Sequence, residues 1–542
     1  MKKTSTYFAA ENRISSILFV FLEFAPYKTI AMKPSAELFD LVKSLSKSEK
    51  RFFKLSSSLQ TGEKNYLQIF DAIEKQSSYD EAALKKQFAK ETFVKHFPSE
   101  KNHLYKTILK SLRGFHADNS INSVLKQEIK NVEILYHKAL YKECKKFLTR
   151  AKKVAKDYEK FYYWFELINW EKQLIEEEYE RGIFTYDLNK LITEELLVIE
   201  KLRNLAEYQM IYSRINYIFR GGSFTNNEEE KKEVQIISNH HLIKGKNTAI
   251  SERATSICYY IQGLCNITIR DFHAALEKLN RTKTILDNNS KIKQDLATRY
   301  VRTVKNLIFM NISTKNLEKA QELINEMKKL PSQKGFNTVD VELKIFTFSH
   351  NTQVMVHDRR GEFAEAIITV DSMIEGLKKY ENKLSKEQAI LFYYNIAYIY
   401  FGVGDFKEAL KWINKILNDN EQTLRQDVYT FSKIFNLIIH YELGNNDLLE
   451  YTIKSTSRHL KKTNKDYLAQ DSIITFIKKL IKLDKKEDKL QHFINGKKEL
   501  ENLFKDPNER IVQEYFDFLA WYNSKIDNTS FPEAIKKKLI SS

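Results

Sequence analysis

The 542-residue chain has only 6 prolines and 14 glycines. Folds built from many short strands need those residues at their turns, and phosphate-binding enzymes build loops from glycine. Their scarcity argues against both and favours long helices with short polar connections. Cysteine is sparse too: Cys144, Cys258 and Cys265, with no Cys-x-x-Cys pair. Three cysteines cannot make a disulfide framework, which predicts buried free thiols and a reducing, cytoplasmic setting. Long apolar runs are lacking. Ile17 to Leu22 is interrupted by Glu23 after six residues, far too short to span a bilayer, so no stable membrane insertion is expected.

Motifs that carry chemistry are missing as well. Gly221-Gly222, in a stretch that reads as a loop and a break between segments, is the lone glycine pair. His240-His241 are adjacent, so on a helix they project to different faces and do not read as metal ligands. Glu176-Glu177-Glu178 reads as a solvated face. Nothing pairs a nucleophile with an orienting base. An enzyme is therefore not expected, nor a metal or cofactor.

What is present is helix-forming and bulky. There are 35 Phe and 29 Tyr, with 42% hydrophobic and 29% charged residues. A chain of this length exceeds one compact core, so several domains or a repeat array are expected. The net charge is +17, and roughly +11 of it lies between Met32 and Lys160. Such asymmetry speaks to partners, not to fold.

Residues 1–31 begin with Lys2-Lys3 and hold the short apolar run, but Thr29-Ile30-Ala31 is a poor cleavage site. Met32 opens a well-formed amphipathic stretch, with Ser35 as a candidate cap and Leu38, Leu41, Val42 and Leu45 at helical spacing. Translation is expected to start at Met32; a weak signal or anchor and an extra helix are the alternatives. Residues 32–118 read as a basic helical module. Its last helix is expected to be capped by Ser99 after Pro98 and to stop at Gly114. Leu104, Ile108, Leu112 and Phe115 share one face of it.

From about Ser120 the pattern becomes recurring helical pairs. The clearest copy is "LFYYNIAYIYFGVGDFKEALKWINKIL", Leu391 to Leu417. Its first helix repeats bulky residues at Tyr393, Ile396 and Tyr400, with Ala397 beside them. A Gly404-Asp405 turn follows, then Phe406, Ala409, Ile413 and Ile416. Partial copies place Phe272 with Ala275, Leu317 with Ala320, Phe363 with Ala366, and Tyr141 with Cys144. This pattern resembles the tetratricopeptide repeat, a pair of antiparallel helices in about 34 residues. Ile416 stands where that family has a small residue. Steps of about 43–46 residues between copies imply longer helices. The tail "ERIVQEYFDFLAWYNSKI" reads as a capping helix whose Phe516, Leu519 and Trp521 need cover.

The resemblance implies an all-α fold: an α-solenoid of helix pairs after a small N-terminal helical module. The segments expected are 1–31, 32–118, 119–225 and 226–542. It also implies a binding wall on the first helices of the pairs. Family geometry places Tyr394, Tyr398 and Phe401 there, with Asn351 and Arg359 of the preceding pair and Tyr260 of an earlier one. Asn395 stands where such repeats often hold a peptide backbone. The expected function is a protein- or peptide-binding scaffold. The alternatives are a peptide-receptor regulator, or nucleic-acid binding through Lys101, Lys106, Lys110 and Arg113 of the basic module.

Overall fold

The computed structural model describes residues 36–58, 65–183, 187–220, 228–381, 383–419, 425–461, 467–506 and 509–541. The expected start at Met32, the Ser35 cap and the Gly221-Gly222 break lie outside these. The described residues hold helices and no strand, so the fold is all-α. Contacts divide the chain into two units, one ending at Asn119 and the other starting at Ser120.

The first unit contains helices Glu37–Ser44, Lys47–Ser58, Asn65–Lys75, Glu81–Gln87 and Phe97–Phe115, with a 3-10 turn at Thr92–His96. Its core joins Phe53, Ile69, Phe70, Phe97, Leu104 and Ile108. Ser46 and Glu49 cap the second helix reciprocally, each side chain taking the other's backbone N–H. The last helix is longer than expected at both ends. Pro98 sits in its first turn, where a missing N–H costs nothing, and Gly114 is inside it.

The second unit is a solenoid of helix pairs. Glu252–Thr268 pairs with Phe272–Asn288, Ala297–Ser313 with Leu317–Lys329, and Val339–Arg360 with Phe363–Lys379. Lys386–Gly402 then pairs with Phe406–Leu417, and Gln426–Glu442 with Asn446–Leu460. Ile121–His137 and Tyr141–Asp157 form an earlier pair. Most second helices bring a small residue to the crossing with the first, and in Asn446–Leu460 the buried Leu449 takes that place. Ala275, Ala320, Ala366 and Ala409 are all fully buried, and Cys144 fills the matching place earlier. The long repeat step comes partly from 17-residue helices and partly from the connections. One connection carries a short helix, Ser290–Asp295, and another a 3-10 turn, Leu330–Ser332.

The turn inside each pair explains why most copies look degenerate. A residue with positive φ precedes the second helix at Ala139, Arg270, Lys315, Gly361, Gly404 and Gly444. The backbone geometry is shared, but glycine occupies only the last three. The residue after it caps the helix in several pairs: Asp271, Asn316 and Asp405 accept from backbone N–H groups three residues on.

Helix Leu188–Arg220 spans 33 residues and serves two cores. Leu191 and Val198 pack with Leu148, Trp164 and Ile168. Tyr208, Ile211 and Ile215 pack with Ile257 and Ile261. The described cores therefore hand over within this helix. The C-terminal stretch is not one helix. A 3-10 turn, Glu509–Glu514, leads through Phe516 to helix Phe518–Ile526, which Asp517 caps, and then to helix Phe531–Ser541.

Candidate functional site

The first helices of successive pairs form the wall on which a partner was expected. At the C-terminal end of the solenoid the chain itself covers that wall. Tyr394, Tyr398 and Phe401 are buried. The Tyr394 hydroxyl donates to the backbone carbonyl of Tyr515 at 3.1 Å. The Tyr515 ring stacks on Phe431 with centroids 3.8 Å apart, and its hydroxyl donates to Asp427 at 2.9 Å. Phe516 enters a cluster with Tyr398, Phe401 and Phe435, and the Phe531 ring stacks on it. Leu519 packs beside them, and Trp521 donates its indole N–H to Glu442 at 2.6 Å. The physical reason is plain: a segment carrying Tyr515, Phe516, Phe518, Trp521 and Tyr522 must bury large rings, and the wall offers matching ones.

Polar groups here are arranged around the docked segment. Burial pushes the Asp427 carboxyl up, but the Arg425 guanidinium beside it more than reverses this and holds it below its ordinary range. Asp358 is raised by burial, against the opposing pull of Arg359 and the Tyr398 hydroxyl, which donates to it at 2.6 Å. Burial raises the Tyr394 and Tyr398 hydroxyls far above their ordinary value. Arg359 pairs with Glu514 at 3.4 Å. Four of the expected wall residues thus converge on one internal peptide segment.

Asn351 and Asn395 lie beside this region and face each other. The Asn395 amide donates to the Asn351 side-chain oxygen at 2.9 Å, and both remain partly exposed. Tyr260 lies in an earlier stretch. It is buried, with Tyr212 6.0 Å away between ring centroids and the Asn306 amide 3.4 Å from its hydroxyl. The sequence reading missed Phe431, Phe435 and Asp427, which complete the covered wall. Their signal was present, because Phe431 and Phe435 hold in "FSKIFNLIIHYELGNND" the places that Leu391 and Asn395 hold one pair earlier.

In the N-terminal unit, Lys106, Lys110 and Arg113 are exposed on helix Phe97–Phe115. Lys101 is not available in the same way. It pairs with Glu81 at 2.5 Å and touches the Tyr79 hydroxyl. Elsewhere, His240 caps the short helix His241–Lys244 by accepting from the Leu242 N–H. Glu176 is exposed, Glu177 accepts from the Tyr136 hydroxyl at 3.1 Å, and Glu178 pairs with Lys145 at 3.1 Å. The three cysteines are free and buried. Among the described residues no His, Cys, Asp and Glu cluster could hold a metal, and no helix is long and apolar enough to cross a membrane.

These features define the class of fold: an α-solenoid of tetratricopeptide-like helix pairs. No protein-family model and no curated protein matches the chain. Among solved structures, the apo form of the quorum sensor NprR from B. thuringiensis aligns with a TM-score of 0.42 at 13% sequence identity, over 72% of this chain and 98% of that one.

Proposed function

We propose that the chain is a non-enzymatic binding protein whose solenoid wall takes an extended segment of a protein or a peptide. The observation that carries this reading is the wall's treatment of its own C-terminal segment. Tyr394 bonds a backbone carbonyl, Phe431 seats the ring of Tyr515, and Phe401 and Phe435 seat the ring of its neighbour Phe516. Main-chain bonding combined with side-chain seats is how extended peptides are recognised. Towards the N-terminus of the same wall, Asn351, Met355 and Phe348 are only partly buried. That stretch is where an external segment would lie.

The test is retention of ligand from the host's own extract by the immobilised full chain, read by mass spectrometry. Peptides or a discrete protein should be retained, and Asn351→Ala with Asn395→Ala should reduce retention about tenfold. Nothing retained above a bare matrix counts against the reading. A peptide-receptor regulator is its finer form, in which occupancy changes what the N-terminal unit does.

A second reading, nucleic-acid binding, rests on Lys106, Lys110 and Arg113, which share an exposed helix face. Neutralising all three should weaken binding to duplex DNA and flatten its salt dependence by about three counterions. Identical salt slopes for the two proteins would remove this reading.

A further inference from the structure

Cations near the solenoid wall are generally matched. Arg253 pairs with Asp295, Lys344 with Asp340 at 3.2 Å, and Arg359 with Glu514. Helix Ala297–Ser313 departs from this. Arg299, Arg302 and Lys305 follow one another at three-residue spacing, and each is partly buried. Among the described residues none of them forms an ion pair. Arg299 and Lys305 lie against rings. The Arg299 guanidinium lies 5.7 Å from the centre of the Tyr212 ring. The Lys305 ammonium lies 6.0 Å from that of Phe219 and 5.8 Å from that of Phe309. Arg299 and Arg302 both lie close enough to the buried Tyr260 hydroxyl to act on it electrostatically. Burial alone holds the Lys305 ammonium below its ordinary range, and burial with the neighbouring Arg253 and Arg302 does the same to Arg299 against the pull of the two phenols.

This arrangement costs the free protein stability. Like charges one turn apart on a helix repel, and a partly buried charge without a counter-charge is expensive. Ring faces offset little of that cost. They also leave the N–H edge of a guanidinium free, because stacking uses its plane. An unmatched, desolvated set of this kind is what a binding site for the opposite charge presents before it is filled.

The geometry points to an anion subsite on the solenoid wall, formed by Arg299, Arg302 and Lys305 among the rings of Tyr212, Phe219 and Phe309, which takes the carboxylates of an extended acidic peptide. It rests on the peptide-binding reading above and names the partner's chemistry. Arg299 to Lys305 spans about 9 Å of helix axis. Alternate side chains of an extended peptide are about 6.5–7 Å apart and share a face, so two carboxylates match the stripe. A nucleic-acid backbone fits less well. It needs a continued run of free cations, whereas the next helix of the wall presents Phe348, Asn351 and Met355, and its Arg359 is already paired.

The test uses the full chain and fluorescein-labelled heptapeptide pools, with Glu at the third and fifth positions in one pool, Gln there in the other, and apolar residues randomised elsewhere. Each pool is made as free acid and as amide. The Glu pools should bind at least tenfold more tightly than the Gln pools by fluorescence anisotropy. R299Q/R302Q/K305Q should abolish the difference. Equal binding of the free-acid and amide forms assigns the anion to side chains, and loss in the amide assigns it to the chain terminus. Gln pools binding as well as Glu pools would overturn the acidic preference while leaving the peptide reading intact. No pool binding would overturn both, and single-stranded dT12 displacing the Glu pool with higher affinity would overturn it in favour of nucleic acid. Lys305→Met supplies a check that does not need ligand: its Tm should be unchanged or raised by about 1–2 °C. A fall of several degrees would show a structural cation and sink the assignment.

Discussion

At the scale of the residue, the turn between paired helices carries a position that the backbone fixes and the side chain resists. Gly404 has φ of +85°, and a Cβ there would meet nothing within 4 Å. Its cost is therefore conformational alone. Ala139 has φ of +57° at the corresponding turn and is exposed. An L-residue held there costs about 1–2 kcal/mol, partly offset by the stiffer unfolded chain of alanine. Ala139→Gly should accordingly raise stability by about 0.5–1 kcal/mol, and Gly404→Ala should lower it by a similar amount. Denaturant midpoints of the two variants check this, and a loss in Ala139→Gly would mean that the turn relaxes freely. The same position shows what the sequence hid. A motif that looks for glycine finds Gly361, Gly404 and Gly444 and overlooks Arg270 and Lys315, although the chain turns alike at all five.

At the scale of the element, the pair Val339–Arg360 with Phe363–Lys379 stacks on the next through the aromatic that opens its second helix. Phe363 is fully buried, and its ring lies against Gly402 of the next pair's first helix. A Cβ at Gly402 would overlap that ring outright, while φ there is ordinary. Gly402→Ala should therefore cost about 1–3 kcal/mol through overpacking, and Phe363→Leu in the same chain should recover part of it. A chemical-denaturation double-mutant cycle measures the coupling, and strict additivity would show that the two residues do not share the contact. Helices and their pairing were legible from spacing, because Ala275, Ala320, Ala366 and Ala409 mark four of the crossings. Their ends were not. Spacing puts Pro98 ahead of its helix, yet proline is tolerated in a first turn, so the helix extends back to Phe97. The aromatic tail showed that it needed cover, but composition cannot say which surface supplies it.

At the scale of the solenoid, stability is carried between neighbouring repeats, so a contact that bridges several of them has a local but multi-helix effect. Phe516 is such a contact. It touches Tyr398, Phe401 and Phe435 from two first helices, and Phe531 from the C-terminal helix. Tyr515 beside it bonds helix Lys386–Gly402 through Tyr394 and helix Gln426–Glu442 through Asp427. Phe516→Ala removes a fully buried ring and should cost about 3–5 kcal/mol. The loss should be confined in space. Hydrogen exchange should speed up across Lys386–Gly402 and Gln426–Glu442, whereas Glu252–Thr268 and Ala297–Ser313 keep their protection, because no side chain of the docked segment reaches them among the contacts described. Exchange that rises evenly along the solenoid would mean that the repeats unfold as one cooperative body, and the docked segment would then be an ordinary part of the core. Confined exchange would instead make the segment a separable occupant of the wall, and that would place its displacement within reach of a competing peptide.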